Sequence, residues 1–178
     1  MVRSKAESGR TAKSPRPSTD IGHVQIPASK LPLIVEANPL LGTWKLKAYV
    51  VTTAAGERST PYGESPTGYL SYSADGRMQV IAAANGRIAP VSTPPPDNER
   101  VALYDTMFAY AGTYSMEAGK VIHHVDISWN EVWTGTDQAR LFEVNGNTLT
   151  LTTRIADPAS GTEARYAVVW EKVGPTLK

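Results

Sequence analysis

The chain has 178 residues, of which 41% are hydrophobic and 20% charged, and this predicts a soluble globular protein with one ordinary domain. It has no cysteine, which excludes disulfides and thiolate metal ligands and mildly favours the cytoplasm. No apolar run approaches the ~18 residues of a membrane span. The net charge of +1 is uneven, because residues 1–30 carry six Lys/Arg against two acidic residues. A nucleic-acid module carries its positive charge on the folded face, so we expect no nucleic-acid partner.

The first segment of the chain, residues 1–37, opens with a stretch rich in Ser, Lys, Arg and Pro that offers little to bury. We predict a disordered or loosely attached N-terminal extension here, with His23 exposed to solvent. Residues 38–178 are predicted to form one β-barrel domain. A basic, acid-poor start also suits an organelle targeting signal, so this alternative to a cytoplasmic location stays open.

From Leu40 onward, short alternating stretches are separated by turn residues. "GTWKLKAYVVTT" alternates as a strand does, and a first hairpin is predicted around Asp75-Gly76. A second hairpin is predicted around Gly119, a third around Asn145-Gly146, and "RYAVVWEKV" forms the last strand. About eight strands joined mainly by hairpins are typical of an up-and-down antiparallel barrel or a sandwich.

One segment, "PPPDNERVALYDTMFAYAG", differs from the strands around it. Asp97 or Asn98 can cap a helix there, Tyr104 and Phe108 are spaced helically, and Gly112 would end it. We therefore predict one short helix inserted mid-chain, placed to plug or cover one end of the barrel.

The third hairpin allows the inward face to be predicted. A two-residue turn at 145–146 pairs Phe142 with Leu149 on the core face, and alternation puts Arg140 and Gln138 on that face too. An inward guanidinium requires a partner. Two interpretations stay open: a structural salt bridge that closes one barrel end, or a group that binds an anion or a carbonyl in a cavity.

The second hairpin contains adjacent histidines, which must point to opposite faces of a sheet. If 118–119 is a two-residue turn, His123 faces Tyr114, and if a bulge closes the turn, the pairing slips by one. Alternation favours His123 inward, with Tyr114 as its potential partner, and His124 outward beside Asp126. An inward histidine is either a hydrogen-bonded core residue or a functional group of a pocket.

The sequence contains few signals of other chemistry. Adjacent histidines on a regular strand cannot converge on one ion, and no H-x-H or H-E-x-x-H spacing occurs, so no metal site is expected. A G-x-S-x-G nucleophile elbow and a phosphate-binding loop are also absent from the sequence. No cofactor is predicted.

Several blocks carry a family resemblance: "LLGTWKLKAY", "PTGYLSYSADGRM", "YAGTYS", "HHVDISWNEVWTGTDQAR" and "YAVVWEKV". Over about residues 38–174 they resemble, in order, the bacterial and fungal lipocalin-like domain family. The resemblance implies a small antiparallel barrel with a central cavity for an apolar or amphipathic small molecule. It further implies that Trp44 seals the closed end, with Arg140 stacked over or bonded near that tryptophan.

The predicted function is therefore binding of a small, largely apolar organic molecule, and a homodimer is left open. The alternative is a cofactor-free cyclase, isomerase or hydro-lyase that uses the cavity as its active site. In that alternative His123, Tyr114 and Arg140 are the catalytic candidates. The predicted ligand-binding residues are Trp44, Tyr72, Met78, Tyr114, His123, Trp129, Trp133, Gln138, Arg140, Phe142 and Tyr166.

Overall fold

The computed structural model describes residues 38–156 and 162–174, so the predicted extension over 1–37 lies outside the described residues. The elements in chain order are β1 (Gly42–Thr52), β2 (Arg58–Ser59), β3 (Thr67–Tyr72), β4 (Arg77–Ala83), α1 (Asp97–Asp105), β5 (Met107–Glu117), β6 (Lys120–Ser128), a 3₁₀ turn (Glu131–Trp133), β7 (Asp137–Asn145), β8 (Thr148–Ala156) and β9 (Glu163–Lys172).

One sheet closes on itself to form the barrel. Strands β3 to β9 follow each other in sequence order, β1 pairs with β3, and β1 also pairs with β9. The ladders are antiparallel, and the two-residue β2 adds to the end of β1 at Val51 and Thr52. The pairing of β1 with β9 closes the barrel wall, and the short β2 lies beside β1 outside that closure. The predicted all-β, up-and-down antiparallel barrel of about eight strands with one short helix is confirmed.

The interior at one end of the barrel is filled by side chains. Trp44, Leu70 and Trp170 are each no more than 2% exposed, and Trp44 Nε1 donates to the Leu40 carbonyl oxygen at 2.8 Å. The cation above the Trp44 ring is Lys172, whose Nζ lies 4.2 Å from the ring centroid. The expectation that Arg140 would occupy this place is wrong. The reason is register, since Lys172 is the β9 residue paired with Trp44.

The helix is shorter than predicted. α1 ends at Asp105, and β5 begins at Met107, so Phe108 belongs to a strand. Residues 107–113 pair with β4, and the same strand pairs with β6 on its other side. The two ladders form more backbone hydrogen bonds than a continued helix would, and this tertiary pairing overrides the helical spacing.

Pro96 stands at the N-cap without a side-chain cap, so the predicted Asp97 or Asn98 cap is also wrong. No helix in the described ranges is long and apolar enough to cross a membrane.

The hairpin registers test the predicted faces. Tyr114 pairs with His123 across the second hairpin, as a two-residue turn at 118–119 requires. In the third hairpin Asn145 pairs with Thr148, so the loop residues are Gly146 and Asn147, with Gly146 at φ +56°. The pairing is therefore offset by two residues from the prediction. An even offset leaves every side chain on its predicted face.

A bulge interrupts the pairing of β5 with β6 next to Gly112. Ala111 pairs with Ile127 but Gly112 pairs with Val125, which leaves Asp126 as the extra residue. At this point the strands come so close that a Cβ on Gly112 would lie 1.9 Å from the backbone oxygen of His124. Glycine is therefore required here for space and not for an unusual φ.

We expect the Gly112→Ala variant to lose about 2–3 kcal/mol in its free energy of unfolding, because the added methyl group must displace backbone. Denaturant unfolding followed by circular dichroism measures this loss. Gly174→Ala is the matched control, since a Cβ at Gly174 meets nothing within 4 Å. Equal stability of the two variants would contradict the close approach at Gly112.

Candidate ligand-binding cavity

A cavity of about 290 Å³ lies inside the barrel, toward the end where β1 meets β2 and β5 follows α1. This volume is near the lower end of the range for small-molecule sites. Its lining residues are Tyr49, Tyr62, Leu70, Val80, Phe108, Tyr110, Trp129, Trp133, Gln138, Arg140, Leu151, Thr153, Ile155, Tyr166, Val168 and Trp170. A wider depression of about 520 Å³ lies on the outer wall beside exposed Tyr69, Ile81 and Ile127. The interior cavity is the better candidate because its walls surround a ligand.

Aromatic rings form most of the cavity wall. The rings of Tyr49 and Tyr62 lie 4.8 Å apart between centroids, and Phe108 meets Tyr62 edge-on at 5.7 Å. Phe108 also contacts Trp129 at 6.4 Å, and Trp129 and Trp133 are perpendicular at 5.0 Å. Tilted and edge-to-face ring contacts of this kind are favourable, so the aromatic side chains stabilise one another around the cavity.

Burial keeps the cavity tyrosines protonated. The pKa of Tyr49 is raised to about 12 by burial, with the neighbouring Tyr62 and Tyr166 hydroxyls adding to the effect. Burial also raises the pKa of Tyr110, although the Arg140 guanidinium opposes this shift. Near neutral pH these phenols are uncharged, so they offer hydroxyl groups but no negative charge to balance Arg140.

Arg140 supplies the positive charge of the cavity. It lies on β7, where its backbone pairs with that of Val121. Its guanidinium donates to the Ala139 carbonyl oxygen at 2.9 Å and to Gln138 Oε1 at 3.3 Å. Within the described ranges it has no carboxylate partner. The structural salt bridge that the sequence allowed is therefore not formed by these residues, and the guanidinium retains donor capacity for a ligand.

Three further polar atoms at the cavity lack hydrogen-bond partners among the described residues. They are Trp129 Nε1, Thr153 Oγ1 and Trp170 Nε1, and all three are buried. Each belongs to a residue that lines the cavity. A buried donor without a partner costs about 1–3 kcal/mol. These three atoms have almost no accessible surface, so they lie within the wall, where a molecule in the cavity does not reach them.

His123 lies behind the cavity wall, between two tyrosines. It is fully buried, its Nε2 lies 2.7 Å from the Tyr72 hydroxyl, and its Nδ1 lies 2.9 Å from the Tyr110 hydroxyl. Burial, followed by the charge of Arg140, lowers the pKa of His123 to about 3, so the imidazole is neutral near pH 7. A neutral imidazole donates from one nitrogen and accepts at the other.

The surroundings of Tyr72 indicate which tautomer His123 adopts. Tyr72 is 2% exposed, and His123 is its hydrogen-bond partner in the described part of the chain. If Tyr72 accepted a proton from Nε2, its own hydroxyl hydrogen would be buried without an acceptor. Tyr72 therefore donates to Nε2, and Nδ1 donates to Tyr110. The Tyr110 hydroxyl is then free to donate into the cavity that it lines.

The low pKa of His123 predicts a dependence of stability on pH. Between about pH 6.5 and 3 the unfolded chain binds a proton at this position and the native barrel does not. Stability is therefore fully present above about pH 6.5, and it falls by up to about 1.4 kcal/mol for each pH unit below that. Denaturant unfolding between about pH 7 and 5, where carboxylates titrate little, measures this slope.

A variant that cannot bind a proton at position 123 provides the control for the slope. In His123→Leu, position 123 binds no proton in either state, so the slope should be smaller by up to about 1.4 kcal/mol per pH unit. An equal slope in the wild-type chain and the His123→Leu variant would contradict the assignment.

The structure places five of the predicted ligand-binding residues at the cavity: Trp129, Trp133, Gln138, Arg140 and Tyr166. The other six are not among the lining residues and pack in the core instead: Trp44, Tyr72, Met78, Tyr114, His123 and Phe142. Alternation predicts which face of a strand points inward, but it carries no information on depth along the barrel.

Two expected partnerships also differ. Tyr114 is opposite His123, but its hydroxyl donates to the Ser73 carbonyl oxygen at 3.1 Å and accepts from Asn38 Nδ2 at 2.8 Å. Tyr72 and Tyr110 are the hydroxyl partners of His123 instead. On the outer face, Asp126 pairs with Arg77 at 2.7 Å and not with His124, because the bulge displaces Asp126 from the regular ladder.

The sequence does not identify several of the cavity residues. Phe108 and Tyr110 fall in the segment that is predicted to be helical, although both lie on β5. The pairing of β1 with β9 shifts between Leu46 and Ala48, and Tyr49 comes directly after this shift. The shift reverses the alternation, so Tyr49 points inward. Strict alternation from Trp44 would have turned it outward. No local sequence signal marks that shift.

The described residues contain no group of three His, Asp or Glu side chains that could hold a metal ion.

Comparison with protein families matches the lipocalin-like domain over residues 41–173, and a search of the curated proteins gave no significant match. The matched segment runs from the start of β1 to the end of β9 and so includes the whole barrel. The chain therefore belongs to the lipocalin-like domain family.

Proposed function

We propose that the barrel binds a small, largely apolar and preferably flat organic molecule that carries a carboxylate or a carbonyl group. A lipocalin-like barrel suggests ligand binding in general, and the cavity residues suggest this finer class. One observation carries the proposal: an aromatic cavity contains an arginine, Arg140, that has no carboxylate partner among the described residues.

Each part of the cavity matches a part of such a ligand. The rings of Tyr49, Phe108 and Trp129 cover an apolar body. Arg140 binds a carboxylate or polarises a carbonyl oxygen, and the Tyr110 hydroxyl donates beside it. At about 290 Å³ the cavity has the volume of roughly ten liquid water molecules, so the ligand is expected to be smaller than a fatty acid.

Calorimetric titration with three probes of similar size tests the proposal: 2-naphthoate, 2-acetylnaphthalene and naphthalene. We expect the affinity to fall in that order, because a hydrogen bond to a charged group contributes about 1.5–3 kcal/mol and a neutral one about 1 kcal/mol. Naphthalene that binds as tightly as 2-naphthoate would contradict the role of Arg140 and the Tyr110 hydroxyl. Failure of all three to bind would contradict the proposed ligand class.

The enzymatic alternative, a cofactor-free cyclase, isomerase or hydro-lyase, would use the same cavity. His123 does not line the cavity, so proton transfer to a substrate would pass through Tyr110, which does. If the chain is a binder, Tyr110→Phe weakens binding of 2-naphthoate by only about tenfold, since one hydrogen bond is lost and Arg140 is retained. If it is an enzyme, the same change lowers turnover of the true substrate by about 10²–10⁴.

A further inference from the structure

A second cluster of reactive side chains lies on the outer wall of the barrel, away from the cavity. It comprises Ser115 on β5, His124 on β6 and Asp137 on β7. Ser115 Oγ lies 2.9 Å from His124 Nε2, and His124 Nδ1 lies 2.7 Å from Asp137 Oδ1. The register explains how they meet. His124 pairs with Asp137 on one side and with Thr113 on the other, and Ser115 lies two residues after Thr113 on the same strand.

The proton positions in this cluster follow from the carboxylate. An ionised Asp137 can only accept, so the hydrogen of a neutral His124 is on Nδ1 and points at Asp137. Nε2 then carries a lone pair, and Ser115 donates its hydroxyl hydrogen to it. This is the order of donors and acceptors by which a carboxylate orients a histidine and the histidine activates a serine.

We propose that Ser115, His124 and Asp137 form a second, independent reactive site that cleaves activated acyl esters. In the first step the Ser115 oxygen bonds to the acyl carbon while its proton passes to His124 Nε2. The bond from the acyl carbon to the leaving oxygen then breaks, and that oxygen takes the proton from His124. Water then bonds to the acyl carbon while its proton passes to His124 Nε2. The bond from the acyl carbon to Ser115 Oγ breaks, and Ser115 takes the proton back from His124, so ester and water become acid and alcohol.

The surroundings limit the substrate class. Ser115 pairs with Ile122, and Ile122 pairs with Ala139 on β7, so a short apolar strip runs across the sheet beside the hydroxyl. A short acyl chain can lie along this strip. The peptide N–H groups of these paired strands are engaged in ladders, so water must stabilise the oxyanion. The site therefore requires an ester with a good leaving group, and its rate is expected to be modest.

The test is acylation of the full-length protein by p-nitrophenyl butyrate, followed by intact mass and peptide mapping. We expect one butyryl group on the peptide that contains Ser115, and no such group in the Ser115→Ala variant. His124→Gln should slow acylation about a hundredfold, at the lower end of the range for general-base assistance, and Asp137→Asn should slow it less.

Thr113→Ala is the matched control, because Thr113 is the hydroxyl residue two positions before Ser115 on the same strand. It should acylate at the wild-type rate, and thermal unfolding of each variant checks the fold. Acylation of Ser115 that continues undiminished in His124→Gln would overturn the proposal. Modification of lysines without modification of Ser115 in the wild-type chain would overturn it as well, and that result needs no variant to fold.

Discussion

Replacing Arg140 with methionine is expected to weaken binding of 2-naphthoate by about ten- to a hundredfold. A hydrogen bond from a guanidinium to a carboxylate contributes about 1.5–3 kcal/mol, and each 1.4 kcal/mol is a factor of ten in affinity. Methionine fills similar space without charge, so naphthalene should bind as well as before or better. Calorimetric titration of both probes with both proteins measures the difference.

Two further variants separate charge from geometry. Arg140→Lys keeps a positive charge but loses the planar fork, so it should recover only part of the affinity for the carboxylate. Arg154→Met removes an exposed arginine that forms a 3.7 Å ion pair with Glu163, and it should leave the affinity unchanged. Equal weakening by Arg140→Met and Arg154→Met would mean that the carboxylate is attracted by overall charge and not bound at Arg140.

The His123→Leu variant is expected to lose about 2–4 kcal/mol in its free energy of unfolding. Leucine fills the space of the imidazole approximately, but it leaves the Tyr72 hydroxyl without its partner and removes one partner of the Tyr110 hydroxyl, which keeps its bond to Arg140. Each buried group without a partner costs about 1–3 kcal/mol. Tyr110 has the cavity beside it, whereas Tyr72 is almost fully buried, so most of the loss should come from Tyr72.

A double-mutant cycle tests that origin. In the wild-type chain Tyr72→Phe should destabilise the barrel by about 1–2 kcal/mol, but in the His123→Leu background it should be neutral or stabilising. Tyr114→Phe is the control, because the Tyr114 ring packs on Tyr72 at 4.9 Å while its hydroxyl bonds elsewhere. If Tyr72→Phe costs the same in both backgrounds, the two residues are not coupled through this hydrogen bond.

The Tyr72–His123–Tyr110 chain also changes what the buried histidine can do. The fully buried His123, with its pKa near 3, is not a general base at neutral pH. Its effect on a ligand passes through Tyr110, which it orients by donating from Nδ1. His123 is therefore proposed as a positioning residue and Tyr110 as the group that contacts the ligand.

The two adjacent histidines show what strand periodicity predicts about a side chain and what it does not. Alternation alone predicts that His123 points inward and His124 outward, and the structure places them so. The same periodicity could not identify the partners of either one, because Tyr72 and Asp137 come from strands whose register depends on closure of the barrel. Side chains that meet across three adjacent strands share no local sequence motif, so the absence of a G-x-S-x-G nucleophile elbow does not bear on this cluster.

The sequence by itself determined the fold class, the main turns and the inward position of Arg140 and Gln138. The fold class and the turns depend on local chemistry, namely alternation along each strand and glycine at the turns. The predicted faces of Arg140 and Gln138 hold because the register of β7 and β8 differs from the predicted one by an even number of residues. The tertiary structure decided which inward residues reach the cavity, because depth depends on packing along the barrel axis. It also ended the helix at Asp105, since two neighbouring strands offer residues 107–117 more hydrogen bonds than a helix continued into solvent.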